Sequence, residues 1–265
     1  MDTLEMRVDI LKMALAAKSH GAHLGGSLSL IEIMAALFGG VMSFDAGRVD
    51  DENRDRLILS KGHGVMAQYV AYKQMGLLSE EELLTYKAND SVVSAHPSMN
   101  DRLGIEFSSG SLGQGLSLGV GVALALRRKN NDTSRVFVVV GDGECDEGSI
   151  WEAASSAAHY KLNNLIVIVD KNGLQYDGLT DNILSMENLG EKWRAFGWQT
   201  VEVDGHNVTS IASALQTKSQ LPLAVIAHTV KGKGISFMEN AAQWHNGVVT
   251  QKIFEQAVQE LRGTV

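Results

Sequence analysis

The chain has 265 residues, a formal net charge of −8, 45% hydrophobic residues and a single cysteine, Cys145. That length and apolar content suit an α/β domain with a sizeable core. The acidic balance argues against a nucleic-acid backbone as partner, and the lone cysteine excludes an intrachain disulfide and points to a cytoplasmic setting.

MDTLEMRVDILKMALAAK (1–18) reads as an amphipathic helix and lacks the basic head and apolar block of a signal peptide. No run approaches the length of a membrane span. Helical patterns follow at SLIEIMAALF (29–38) and, beyond the strand-like run RLILS (56–60), at VMAQYVAYKQM (65–75). SEEE (79–82) fits a helix start, with Ser79 as cap and Glu82 three residues on. A helix over 112–129 carries Gly113, Gly115, Gly119 and Gly121. Each glycine costs about 1 kcal/mol against alanine, so close approach is the expected gain, either of a ligand or partner or of crowded elements in the same domain. Strand VFVVV (136–140), helix 149–160, strand LIVIV (165–169), helix 187–197, strand QTVEV (199–203), helix 208–216, strand PLAVIA (222–227) and helix 249–262 complete the chain. Continuous apolar strands alternating with helices predict an α/β fold: a parallel sheet with helices on both faces. Ligands of such sheets bind beyond the carboxyl ends of the strands.

One such end carries GDGECDEG (141–148). Gly141 and Gly143 permit a tight turn and close approach to the backbone, and Asp142 can offer a carboxylate oxygen to a hard cation. The next strand ends in VDKNGL (169–174), where Asn172 can offer an amide oxygen and Leu174 a backbone carbonyl. Oxygen donors on two neighbouring strand ends suit Mg²⁺, or another divalent cation such as Ca²⁺ or Mn²⁺, shared with a phosphate group. The helix starting near Ser149 is expected to aim its N-terminus at the same crevice.

GDG, 28 intervening residues and Asn172 resemble the thiamin diphosphate-binding motif, and GDGECDEGSIWEAASSAAHYKLNNLIVIVDKNGL is similar to its transketolase version. The resemblance extends to GAHLGGSLSLIEIMAALF (21–38), LSKGHG (59–64), SAHP (94–97), GSLGQGLS (110–117) and HTVKGKGISFMENAAQWHNG (228–247), in family order from about residue 5 to 250. It implies the thiamin diphosphate-binding fold, a metal held by Asp142, Asn172 and the Leu174 carbonyl, and catalytic histidines His23, His63, His96 and His245. It further implies cofactor contacts from His63, Gly113, Gln114, Gly115, Gly141, Gly143, Lys231 and His245, with Glu147 in a network joining paired active sites. His23 and His96 would face the donor sugar, and His63 and His245 the diphosphate and reaction centre. Proton movement near neutral pH leads to the expectation that these groups titrate near 7. His20, His159, His206 and His228 match no motif and are read as structural; Cys145 is given no role. The sequence departs from the family pattern at VSAHPS, in SMNDRLGIEF, at Gln175 and Tyr176, and in VVT after WHNG, which bears on the choice of donor more than on the cofactor.

A full transketolase is more than twice this long. The whole chain, 1–265, is therefore read as the diphosphate-binding domain alone, with the aminopyrimidine-binding and C-terminal domains expected on a partner chain in an α₂β₂ assembly. The implied activity is transfer of a two-carbon ketol unit from a ketose phosphate or related anionic sugar to an aldose, requiring thiamin diphosphate and the partner. Two other readings use the same motif: one component of the decarboxylating part of a 2-oxoacid dehydrogenase, against which the four histidines argue, and a non-catalytic scaffold, against which the intact Asp142 and Asn172 argue.

Overall fold

The computed structural model describes residues 1–263. Five strands, β1 Arg56–Leu59, β2 Val136–Gly141, β3 Leu165–Lys171, β4 Gln199–Asp204 and β5 Leu223–His228, form one sheet in the order β1-β2-β3-β5-β4. All pairings are parallel, with Val138 opposite Val167 and Ile168 opposite Val225. The continuous apolar runs are explained by burial on both faces. Phe137, Val139, Ile166, Ile168 and Val225 belong to one core layer, while Val136, Val138, Val140, Leu165 and Val167 belong to the other. Each such side chain contributes about 1.5–3 kcal/mol when removed from water.

The first face is covered by α1 Thr3–Ala16, α3 Ile31–Ala36, α4 Val65–Gln74 and α10 Val208–Leu215, with α2 Gly25–Leu28 leading into α3 and α5 Glu80–Leu83 packed beside α4. The second face carries α6 Gly115–Arg128, α7 Gly148–His159 and α9 Leu189–Ala195; α8 Thr180–Ile183 is a short turn between β3 and α9. The last helix, α11 Gln251–Leu261, closes over α1. This contact explains a departure from the sequence reading. α1 is buried nearly all round, not on one stripe, and its charges are paired: Arg7 with Glu32 at 2.8 Å and Asp9 with Lys73 at 2.7 Å.

The helix expected over 29–38 is divided. Ser29 and Leu30 separate α2 from α3, and a π-helical turn at Leu37–Val41 ends where Gly40 takes φ 138°. The Ser79–Glu82 capping box is formed in both directions, at 2.8 and 3.1 Å. The helix expected from 112 begins at Gly115, because Gly113 adopts φ +84°. Gly115 lies against Ser60 and Gly119 against Val138, so these two glycines serve crowding within the domain; Gly121 faces open space.

Candidate active site

The carboxyl ends of β1, β2 and β3 and the chain beyond β5 enclose a cleft of about 240 Å³. It gathers Asp142, Asn172 and Leu174 with His23, His63, His96, His245 and Lys231, residues spread over more than two hundred positions. His23 sits at the centre of the imidazoles, with ring centroids 5.9, 5.4 and 5.6 Å from His63, His96 and His245; His63 and His245 are 5.1 Å apart. The buried Nδ1 atoms of His23 and His245 have no hydrogen-bond partner among the described residues. Orphaned polar atoms in a cleft wall are the mark of a site built for a polar ligand.

Burial and neighbouring cations hold all four imidazoles in the neutral form. Desolvation, then His96, Lys87 and Lys231, pushes His23 down to about 4; desolvation, then Lys231 and His23, pushes His245 down to about 3. Desolvation and Lys61 put His63 well below the ordinary value, and desolvation with Lys87 lowers His96. The expected titration near 7 is therefore corrected for this chain. A neutral imidazole still offers one donor and one acceptor nitrogen.

The oxygen donors are set by the turn after β2 and the end of β3. Asp142 is 7% exposed, its carboxylate accepting from Gly143 N at 2.9 Å and from Gly173 N at 2.6 Å. Burial, then the charge of Asp170, raises its pKa to about 6. Asn172 donates Nδ2 to Asp170 at 3.1 Å, which turns its Oδ1 the other way, where it accepts from Leu174 N at 3.1 Å. The Leu174 carbonyl accepts from Lys231 Nζ at 2.9 Å. No group of three or more His, Cys, Asp and Glu side chains among the described residues is arranged to hold a metal. One carboxylate, one amide oxygen and one carbonyl are instead a donor set suited to a hard cation that shares its shell with phosphate, and a cation there would stabilise the charged form of the buried Asp142 carboxylate.

The structure adds residues that sequence reading did not single out. Asp170, wholly buried, accepts from Ser29 at 2.7 Å, from Asn172, and through short contacts from Lys61 and Thr229. Desolvation alone would raise its pKa, but the Lys61 ammonium pulls it below the ordinary value. Glu144, 2% exposed, folds back into the glycine turns, accepting from Gly113 N at 2.9 Å, Gly141 N at 3.0 Å and Ser60 Oγ. Lys61 stands inside the LSKGHG motif and Glu144 inside GDGECDEG, so position in a motif was the available signal. Tyr176, marked in the sequence only as a departure from the family pattern, meets His245 edge-on at 5.1 Å and is 68% exposed at the cleft mouth.

Four residues expected at the cofactor do not line the cleft. Gly113 is held under the side chain of Glu147, with its N–H on Glu144. Gly115 is packed on Ser60, Gln114 faces solvent, and Glu147 is exposed at the start of α7. The first turn of α7 packs on the Gly113 turn through Ser149 Oγ and Gly113 O, 2.9 Å. Of the histidines read as structural, His206 bridges Glu32 at 3.0 Å and Val230 N at 2.8 Å, and His228 pairs with Glu202 at 2.9 Å. Cys145 is buried, and burial raises its thiol pKa well above the ordinary value. No helix among the described residues is long and apolar enough to cross a membrane.

Residues 3–262 match the family model for the transketolase thiamine diphosphate-binding domain. The chain is 38% identical over 267 residues to one of the subunits of apulose-4-phosphate transketolase from Phocaeicola vulgatus, covering 98% of this chain and 94% of that protein. It is 41% identical over 242 residues to the 6-deoxy-6-sulfo-D-fructose transketolase subunit SqwG of a Clostridium species, covering 90% and 88%. Among solved structures it superposes on transketolase from Campylobacter jejuni with a TM-score of 0.87 at 26% identity, covering 99% of this chain and 43% of that one. The chain thus spans less than half of that longer transketolase but nearly all of the two smaller relatives. With the parallel sheet, the glycine-flanked Asp142 and this match over almost its whole length, the chain belongs to the transketolase thiamine diphosphate-binding domain family.

Proposed function

We propose that the chain is the diphosphate- and metal-binding subunit of a two-subunit transketolase, which moves a two-carbon ketol unit from an anionic ketose to an aldose. The observation that carries this is one cleft holding both the oxygen donors Asp142, Asn172 and Leu174 and the four neutral imidazoles. The relatives that match along nearly their full length are named as transketolase subunits, which favours this reading over a 2-oxoacid decarboxylating component and over a scaffold.

Asp142, the Asn172 amide oxygen and the Leu174 carbonyl would hold Mg²⁺ or a similar divalent cation, and the cation would anchor the diphosphate. Thiamin diphosphate, when bound, supplies the electron sink that carbon–carbon cleavage beside a carbonyl requires. The chain's own groups prepare the sugar. His23 Nδ1, free of protein partners among the described residues, would bind a donor hydroxyl or the carbonyl oxygen, with His96 beside it on the same wall. In the neutral state each ring can accept a hydroxyl proton at one nitrogen while donating from the other, so both can orient and deprotonate without prior loss of a proton. His63 and His245, with Lys231, would face the anionic tail of the cofactor, where low polarity strengthens each contact. Cofactor activation at the aminopyrimidine ring, and most contacts to the sugar's anionic end, fall to the partner in an α₂β₂ arrangement. Gly121 and Glu147, both exposed, would contribute to that contact.

The test is calorimetric titration of thiamin diphosphate with Mg²⁺ into the full chain, alone and with the protein encoded beside it. Tight binding with the partner, followed by ketose-dependent transfer, is the expected result. Full turnover by the chain alone would overturn the split assignment, and no binding in either case would overturn the catalytic one.

A further inference from the structure

We propose that Lys231 is a resident cation of the metal site: its ammonium holds the Leu174 carbonyl until a divalent metal takes that oxygen, and the freed charge then turns to an anionic phosphate group. The proposal rests on the reading of Asp142, Asn172 and Leu174 as metal ligands.

Lys231 is 2% exposed, and its Nζ donates to Leu174 O at 2.9 Å. An ammonium has three donors, and the structure gives this one a single acceptor among the described residues. The other buried lysine of the cleft, Lys61, is differently placed: it forms an ion pair with Asp170. Lys231 feels Asp142 and Asp170 without forming an ion pair with either among the described residues. A buried charge left so under-satisfied is costly unless a further partner arrives.

Its main chain, by contrast, is pinned. Gly232 N donates to Gly25 O at 3.0 Å, and Asn240 N donates to Lys231 O at 2.9 Å. The stem runs against Gly25, where an added Cβ would come within 2.8 Å of Lys231 Cγ. The tip is therefore the exchangeable part, and the oxygen that anchors it is the one the metal needs. A divalent cation about 2.1 Å from that oxygen would stand within a few ångströms of the ammonium, and like charges at that separation repel strongly in a low-dielectric cleft. Both cannot keep the carbonyl. Metal entry thus releases Lys231 into the cleft that His63 and His245 also line, where an anion would lie.

This exchange gives effects of opposite sign, which a merely structural lysine would not. Mn²⁺ is titrated into the full chain, alone and then at saturation with thiamin diphosphate added, followed by electron paramagnetic resonance and calorimetry. Lys231→Met is expected to bind Mn²⁺ alone about tenfold more tightly, equivalent to about 1.4 kcal/mol, and to bind thiamin diphosphate at saturating Mn²⁺ about tenfold less tightly. Gly25→Ala, which dislodges the lysine stem but keeps its charge, is expected to raise Mn²⁺ affinity in the same direction and serves if Lys231→Met does not fold. Unchanged or weaker binding of Mn²⁺ alone in the folded variants overturns the proposal while leaving the metal reading intact, provided Asp142→Ala abolishes Mn²⁺ binding. Mn²⁺ binding that survives Asp142→Ala overturns both.

Discussion

Asp142→Asn tests the electrostatics of the site without requiring a ligand. The folded chain raises the Asp142 pKa from 3.8 to about 6, because the carboxylate is buried beside Asp170. A folded value above the unfolded one means that the folded state holds its proton longer. The group's contribution is therefore most favourable below about pH 4 and is lost as pH rises through about 6. About two pH units correspond to roughly 3 kcal/mol of burdened stability at neutral pH. Asparagine removes the charge but keeps only one acceptor for the two N–H groups of Gly143 and Gly173, a loss of about 1 kcal/mol. The variant is thus expected to be about 2 kcal/mol more stable than the parent at pH 7.5, a rise of roughly 4–8 °C in melting temperature, and about 1 kcal/mol less stable near pH 4. The assay is thermal or urea denaturation of both proteins across this range with chelator present; the histidines titrate alike in both and cancel in the difference. Added Mg²⁺ is expected to raise the melting temperature of the parent and not of the variant. A difference between parent and variant that stays constant from pH 4 to pH 7.5 would refute the reasoning.

Glu144→Ala leaves Gly113 N, Gly141 N and Ser60 Oγ without their acceptor and is expected to cost at least about 3 kcal/mol, with Glu144→Gln milder; a loss below about 1 kcal/mol in a urea titration would contradict the role given to it. Gly119→Leu is expected to destabilise by about 1–3 kcal/mol through collision with Val138. Gly121→Ala, in open space on α6, should stabilise the isolated chain by about 1 kcal/mol while weakening capture of the partner, measured by melting and by titration of the partner; improved capture would count against that face as the contact. Because the folded pKa values of His23, His63 and His245 lie below the ordinary 6.5, their contribution is present above about pH 6.5 and is lost as pH falls toward 4. His63→Gln should therefore flatten the dependence of the urea midpoint on pH between 6.5 and 4.5, and an unchanged slope would argue against it.

What could be read from the sequence was local. The apolar runs before GDG and DKNG announce buried parallel strands, and oxygen-bearing residues at their ends announce a site. The segment LGQGLSLG keeps a helical apolar pattern through residues 112–114, so only the positive φ of Gly113 shows that the helix starts later. Asp170 was hidden for a different reason. Its partners Ser29, Lys61 and Thr229 lie 141, 109 and 59 residues away, and no spacing rule joins them. The neutral state of the histidines was equally invisible, since it depends on burial and on Lys61, Lys87 and Lys231 arriving from separate loops. The motif located the imidazoles, whereas their charge is a property of the assembled cleft.

The acidic turn shows how one short segment divides its labour. Asp142 faces the cleft, Glu144 turns inward to tie the glycine loops, Gln175 holds Asp146 at 3.2 Å, and Glu147 points out to solvent. Asp142 and Glu144 are both buried at the cleft without a cationic hydrogen-bond partner among the described residues, Glu144 being tied to Gly113 N, Gly141 N and Ser60 Oγ, and Lys231 is buried there without an ion pair. Lys61 and Asp170 satisfy each other. Lys231 feels the charge of Asp142 yet forms no ion pair with it among the described residues. The Lys231 Nζ is held instead by the Leu174 carbonyl. A metal–diphosphate pair would give Asp142 a cation and Lys231 an anion together. Neither half alone satisfies both residues, so the cleft should favour the two as a unit over either one singly.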